Sequence, residues 1–151
     1  LAMGRGEVIR PIRDIGQLWL VLLVPPHALA AKTAELYGRL RPEHWSSGER
    51  TLRLVESISR GERISEELLG NSFEAVAAGA FPGLPACLDA MLAAGSTAVH
   101  LSGAGPALFS LFPSREAARI VADRLSAAGY HPLQAHTLPA SEALPVPRLL
   151  R

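Results

Sequence analysis

Hydrophobic positions in this chain follow two periods, and their order along the sequence predicts its elements. Gln17–Val24 is apolar almost throughout and reads as a central strand, stopped by Pro25 and Pro26. Ahead of it, Glu7–Ile12 reads as a short edge strand, since Pro11 is tolerated in a sheet only at an edge. Further on, Thr97–Leu101 alternates apolar with other residues, Ala107–Phe112 forms a second strand after a glycine-containing break, and Tyr130–Leu138 reads as the last strand.

Between these runs the period changes to that of a helix. Thr33, Leu36, Tyr37 and Leu40 make one stripe within Ala30–Arg41. Ser46 followed by Glu49 reads as a capping box that opens a helix with Thr51, Leu54, Val55 and Ile58 on its apolar face. Past a linker at Gly61, Leu69, Phe73, Val76, Ala77 and Ala80 define another helix. Leu84, Cys87, Leu88, Met91 and Leu92 define one more, closed by Gly95. Ser114 caps a last helix with Ala117, Ile120, Val121, Leu125 and Ala128 inward, ended by Gly129.

Strand, strand, several helices, two strands, helix, strand is the order of an α+β layer, with helices packed on one face of a mainly antiparallel sheet. Its final hairpin, helix and strand suit a ferredoxin-like arrangement. Residues 1–138 read as a single domain, and 139–151, with three prolines and little pattern, as a loose tail.

Composition adds exclusions. At 151 residues the chain fits one domain. Fifteen Lys and Arg against 14 Asp and Glu leave a net charge of +1, too little for a protein that binds nucleic acid by neutralising phosphates. Cys87 stands alone and cannot close an internal disulfide, and no Cys/His spacing matches a zinc site, so no metal centre is expected. The apolar run from Leu18 to Pro26 is too short to span a bilayer, and a signal peptide is not evident; the expectation is a cytoplasmic protein away from membranes. The chain starts at Leu1 rather than Met, which reads as a fragment or a processed chain.

Three places could carry chemistry. Gly103 and Gly105 flank Ala104 between two strands; such a loop is either a tight turn or a backbone cradle for an anion. It lacks the Gly-Lys-Ser/Thr of a P-loop and the third glycine of a dinucleotide fingerprint. Thr33 and Tyr37, four apart, share a helix face that could stack on and hydrogen-bond a base, or Tyr37 could be a core aromatic. Asn71-Ser72-Phe73-Glu74 reads as a helix cap. The histidines are isolated: His100 stands before the glycine loop, His27 near the Thr33 helix, and His44, His131 and His136 form no constellation. Cys87 reads as a small core residue.

Taken in order, these segments resemble a known family. Leu101-Ser102-Gly103-Ala104-Gly105-Pro106-Ala107-Leu108-Phe109 is similar to the C-terminal glycine loop of the GHMP kinases. Gly4-Arg5-Gly6-Glu7, Trp19–Pro26, Lys32-Thr33-Ala34 with Tyr37, Asn71–Glu74, Phe81–Gly95 and the Ser114 helix extend the likeness over residues 4–138, within the isoprenoid-pathway branch whose acceptor carries cytidine diphosphate. The resemblance implies the C-terminal, substrate-side domain of an ATP-dependent kinase. Tyr37 would stack on cytosine with Thr33 beside it, and Ser102, Gly103, Ala104 and Gly105 would face the phosphates. ATP and Mg²⁺ would be held mainly by an N-terminal half, the natural partner of this domain. That half would also bring the catalytic residues, so none is assigned here and the chain alone is expected to be inactive. An apolar surface facing that half, and a homodimer of the isolated chain, would follow. Two positions depart from the family pattern: Ala104 replaces its Ser or Thr, and Ser72 its Asp. The alternatives are the same domain of another GHMP kinase, of homoserine kinase type, or a freestanding ferredoxin-like module that binds a small molecule.

Overall fold

A computed structural model describes residues 1–26, 32–139 and 141–142. The main sheet has four strands: β3 (Trp19–Leu23), β4 (His100–Leu101), β5 (Leu108–Phe112) and β6 (Leu133–His136), in the order β4-β5-β3-β6 with every neighbour antiparallel. β3 is central, as its apolar run predicts, and the sequence of strand, helices, hairpin, helix and strand is the ferredoxin-like one.

Alternation along the strands decides which side faces the core. On β3, Val21 and Leu23 are buried while Leu20 and Leu22 are half-buried on the opposite face. Register places Leu23 across from Leu108 and Trp19 across from Phe112, so these side chains share the core face. Onto that face packs α5 (Arg115–Ala127), and against α5 packs α4 (Leu84–Ala94). Each fully buried side chain here, Leu125, Met91 or Val21, contributes about 1.5–3 kcal/mol of burial. The buried Ser110 hydroxyl donates to Ala98 O at 2.6 Å, so it carries no unmet hydrogen bond into the core.

The helix ends obey local chemistry. Ser114 Oγ accepts the Ala117 N–H at 3.2 Å, the predicted N-cap. Gly95 closes α4 at φ +112, and Arg124 of α5 donates to the terminal Ala94 O at 3.0 Å. Cys87 is buried in the core cluster, and burial pushes its thiol pKa up. Among the described residues, no single helix is long and apolar enough to cross a membrane.

Several boundaries differ from the sequence expectation. Glu7–Ile12 is not an edge of the main sheet. Only β2 (Val8–Ile9) pairs, with β1 (Ala2–Met3), in a separate ribbon whose turn carries Gly4 and Gly6 at positive φ. The first helix, α1, covers Lys32–Arg39; the expected start at Ala30, like His27, lies outside the described residues. It stops before Arg41, which is extended ahead of Pro42, where a 3₁₀ turn over Pro42–His44 follows. Ser46 is not a cap: α2 (Glu49–Arg60) begins after Gly48, whose left-handed φ of +78 breaks the backbone there, and Ser47 Oγ takes the Glu49 N–H instead. The third helix, α3, covers Glu74–Ala80, because a 3₁₀ turn over Glu66–Leu68 intervenes before Leu69. On α5 the buried stripe is Ala118, Val121, Ala122 and Leu125, and Ile120 faces outward; the buried set keeps i, i+3, i+4, i+7 spacing, turned one position from the expected stripe. The last strand is shorter than Tyr130–Leu138, and most of the tail lies outside the described residues.

Candidate functional site

The glycine loop leaves β4 at the edge of the sheet. Ser102 N–H donates to Ala107 O at 2.8 Å and Gly105 N–H to Ser102 O at 2.9 Å, which closes a tight turn before β5. Gly103 and Gly105 both need positive φ, +54 and +69, but for different surroundings. A Cβ on Gly105 would stand 2.9 Å from Leu101 Cδ1 and 3.1 Å from Phe81 Cε2, whereas one on Gly103 would meet nothing within 4 Å. Gly105 and Pro106 are buried, Ala104 is half-buried, and Ser102 and Gly103 are exposed. Among the described residues, no acceptor meets the N–H groups of Gly103 and Ala104. Two adjacent backbone donors of this kind could hold an anion, and Ala104 adds no hydroxyl to them.

A four-residue segment from before α3 holds this loop. Asn71 Nδ2 donates to Leu101 O at 3.0 Å and to Gly103 O at 2.7 Å. Glu74 Oε1 accepts the Leu101 N–H at 3.3 Å. Asn71 Oδ1 accepts the Phe73 N–H at 3.0 Å in a local turn, but α3 starts after Phe73 with no side-chain cap and Glu74 turns to Leu101, so the expected capping box is not formed. Ser72 is half-buried.

The third component is aromatic. On α1, Leu36 is fully buried and anchors the helix, while Thr33 and Tyr37 face solvent, Tyr37 with 58% of its surface exposed. The Tyr37 ring is therefore no core aromatic. It packs against Phe73 at a right angle, with centroids 4.9 Å apart and planes at 87°, while most of its surface stays open to solvent. Arg39 steadies α1 by donating to Gly79 O of α3 at 2.9 Å while pairing with Glu35 at 2.6 Å. Tyr37 and the glycine loop are thus joined through Phe73 and Asn71. Phe73 and the Asn71–loop contact carry no local signal in sequence, since the partners stand 30 and 32 residues apart. A cleft of about 490 Å³ lies beside the segment, bounded by Trp45, Ser47, Arg50, Asn71 and Glu74.

Elsewhere, His100 Nε2 is buried without a partner among the described residues, and its ring lies 5.4 Å from Phe109. The Arg41 N–H meets His44 Nδ1, and His136 lies against Trp19 and Gln17, away from the loop. No three His, Cys, Asp or Glu side chains converge on a metal position among the described residues.

Comparison with known proteins adds a lineage. Residues 50–131 match the family described as GHMP kinases C terminal. A 4-diphosphocytidyl-2-C-methyl-D-erythritol kinase of Dehalococcoides mccartyi is 40% identical over 136 residues, which are 89% of this chain and 48% of that protein. A solved structure described as 4-(cytidine 5'-diphospho)-2C-methyl-D-erythritol kinase superposes with a TM-score of 0.69 at 28% identity, covering 88% of this chain and 47% of the other. The Streptococcus pneumoniae phosphomevalonate kinase, at 18% identity and a TM-score of 0.52 over 80% of this chain and 40% of its own, shares the fold. The chain spans about half the length of the curated relatives it matches.

Proposed function

The chain belongs to the GHMP kinase C-terminal family, and from that premise we propose that it is the substrate-side domain of an ATP-dependent kinase that phosphorylates the 2-hydroxyl of 4-diphosphocytidyl-2-C-methyl-D-erythritol. The relatives that are 40% and 28% identical over the aligned residues carry that substrate in their names. The single observation that carries the reading is the exposed Tyr37 ring, packed at a right angle on Phe73 and connected through Asn71 to a loop whose Gly103 and Ala104 N–H groups meet no acceptor among the described residues.

In this reading the cytosine stacks on Tyr37, with the Thr33 hydroxyl one helical turn away to hydrogen-bond the base edge. The diphosphate runs toward the glycine loop. There the acceptor hydroxyl oxygen forms a bond to the γ-phosphorus of ATP, the bond from that phosphorus to the β–γ bridging oxygen breaks, and the hydroxyl proton leaves to a base. Catalysis of such transfer is mostly positioning and charge stabilisation, and the N–H groups of Gly103 and Ala104 supply the latter from fixed backbone. The base and the groups that hold ATP and Mg²⁺ are assigned to the N-terminal half of a full-length kinase; no magnesium ligand is assigned to this chain.

Titration of the chain with CDP, cytidine and ATP, followed by NMR, tests the reading. CDP should perturb resonances of Thr33, Tyr37 and the glycine loop. Tyr37→Ala should weaken CDP about 5- to 150-fold, the range expected for a lost base stack of about 1–3 kcal/mol, and Tyr37→Phe should retain binding. Equal CDP affinity in wild type and Tyr37→Ala would overturn the assignment.

A further inference from the structure

The segment Asn71–Glu74 does more than start a helix. β4 is an edge strand, and the outward N–H and C=O groups of such a strand are ordinarily left to water or to another strand. Here Leu101 N–H goes to Glu74, and Leu101 O and Gly103 O both go to Asn71. A capping role alone would need only an oxygen acceptor, which Ser, Thr or Asp supplies equally well. The observed contacts need one acceptor and two donors on a short side chain, and among short side chains only Asn has that set.

The direction of these bonds gives them a consequence. Gly103 O belongs to the same planar peptide as the Ala104 N–H, so fixing the carbonyl on Asn71 fixes that N–H in the opposite direction. The other end of the same amide, Oδ1, holds the Phe73 N–H, and the Phe73 ring braces Tyr37. One side chain therefore touches both the aromatic end and the anion-facing end of the site.

We propose that Asn71 is a positioning residue that sets the aim of the Ala104 N–H relative to the Tyr37–Phe73 pair, and so matches the loop to the diphosphate of a stacked cytidine nucleotide; this rests on the function proposed above. Its preference for CDP over cytidine comes from that alignment.

Two substitutions separate the ends of the amide. Asn71→Asp keeps the acceptor for Phe73 and replaces the donors by a carboxylate oxygen. Asn71→Ser also keeps an acceptor and loses the donors, without adding charge. In both, Tyr37 and Phe73 ring resonances and cytidine affinity should stay as in wild type. The Ala104 amide resonance should shift, because its peptide is no longer held through Gly103 O, and the ratio of CDP to cytidine affinity should fall about tenfold, as expected for two lost hydrogen bonds. A wild type that prefers CDP, with variants that keep the same preference, would overturn the coupling and leave the functional reading standing. A wild type that binds CDP no tighter than cytidine would overturn both, because the loop would then face no phosphate. An Ala104 amide resonance left in place by both variants would overturn the clamp itself.

Discussion

The layer formed by α4, α5 and β3 and the edge formed by β4, the glycine loop and the start of α3 are held by different physics. In the layer, Val21, Leu23, Met91 and Leu125 are buried at regular spacings, and stability comes from apolar area removed from water. At the edge, order comes from a few polar contacts between segments about 30 residues apart, and the aromatic that matters is exposed. A densely packed layer tolerates little motion and offers no ligand a surface. An edge fixed by side-chain amides and carboxylates can be held in place while its backbone donors still face outward. The binding reading follows the second kind of construction.

Truncation in each region gives the largest contrast. Leu125→Ala, in the fully buried layer, should lower unfolding free energy by about 2–5 kcal/mol in urea titrations. Tyr37→Ala should change the unfolding free energy by no more than about 0.5 kcal/mol, since its ring is mostly exposed, while weakening CDP about 5- to 150-fold. A large stability loss in Tyr37→Ala would place that residue in the packed layer and erase the distinction.

The same difference decides what could be read from the sequence. β3, α4 and α5 are legible because burial imposes a period of two or of 3.6 on the residues themselves, as Val21 and Leu23 or Ala118, Val121, Ala122 and Leu125 show. Ser114 and Gly95 mark helix ends by local chemistry and stand where expected. The β1–β2 ribbon was not legible: two paired residues are too few to carry a pattern, and Val8 and Ile9 are exposed despite being apolar. At the site, the glycine loop and the Thr33–Tyr37 face stood out as residue types. The role of Asn71 did not, because Asn before a helix has a sufficient local explanation, and its contacts with Leu101 and Gly103 exist only once the chain has folded.

A smaller effect separates the two glycines of the loop. Both Gly103→Ala and Gly105→Ala force an L-residue into left-handed backbone, at about 1–2 kcal/mol each. Gly105→Ala must also displace Leu101 and the ring of Phe81, which belongs to the packed core, so its cost should exceed that of Gly103→Ala by about 1 kcal/mol. Thermal melts of the two variants measure this directly. Equal costs would mean that the loop does not rest on the core through Gly105.

The smallest effect lies on the solvent side of the layer, away from both its core and the edge. On the outer face of α5, Arg119 pairs with Glu116 and with Asp123, both at 2.7 Å. Its hydrogen bond and its charge hold the Glu116 carboxyl below the ordinary value of 4.5. A carboxylate with a lowered folded-state pKa stabilises the fold above its ordinary range, and that contribution is lost as pH falls through the lowered value. Glu116→Gln should therefore lower Tm slightly at pH 7, and the difference should shrink as pH falls through the lowered value. The pair is exposed, so the difference at pH 7 should also shrink in 1 M salt, whereas the Leu125→Ala deficit should persist there. A Glu116→Gln deficit that grew toward acid, or that salt left unchanged, would show that this carboxylate acts through packing rather than charge, and α5 would then be held from its outer face as well as from the core.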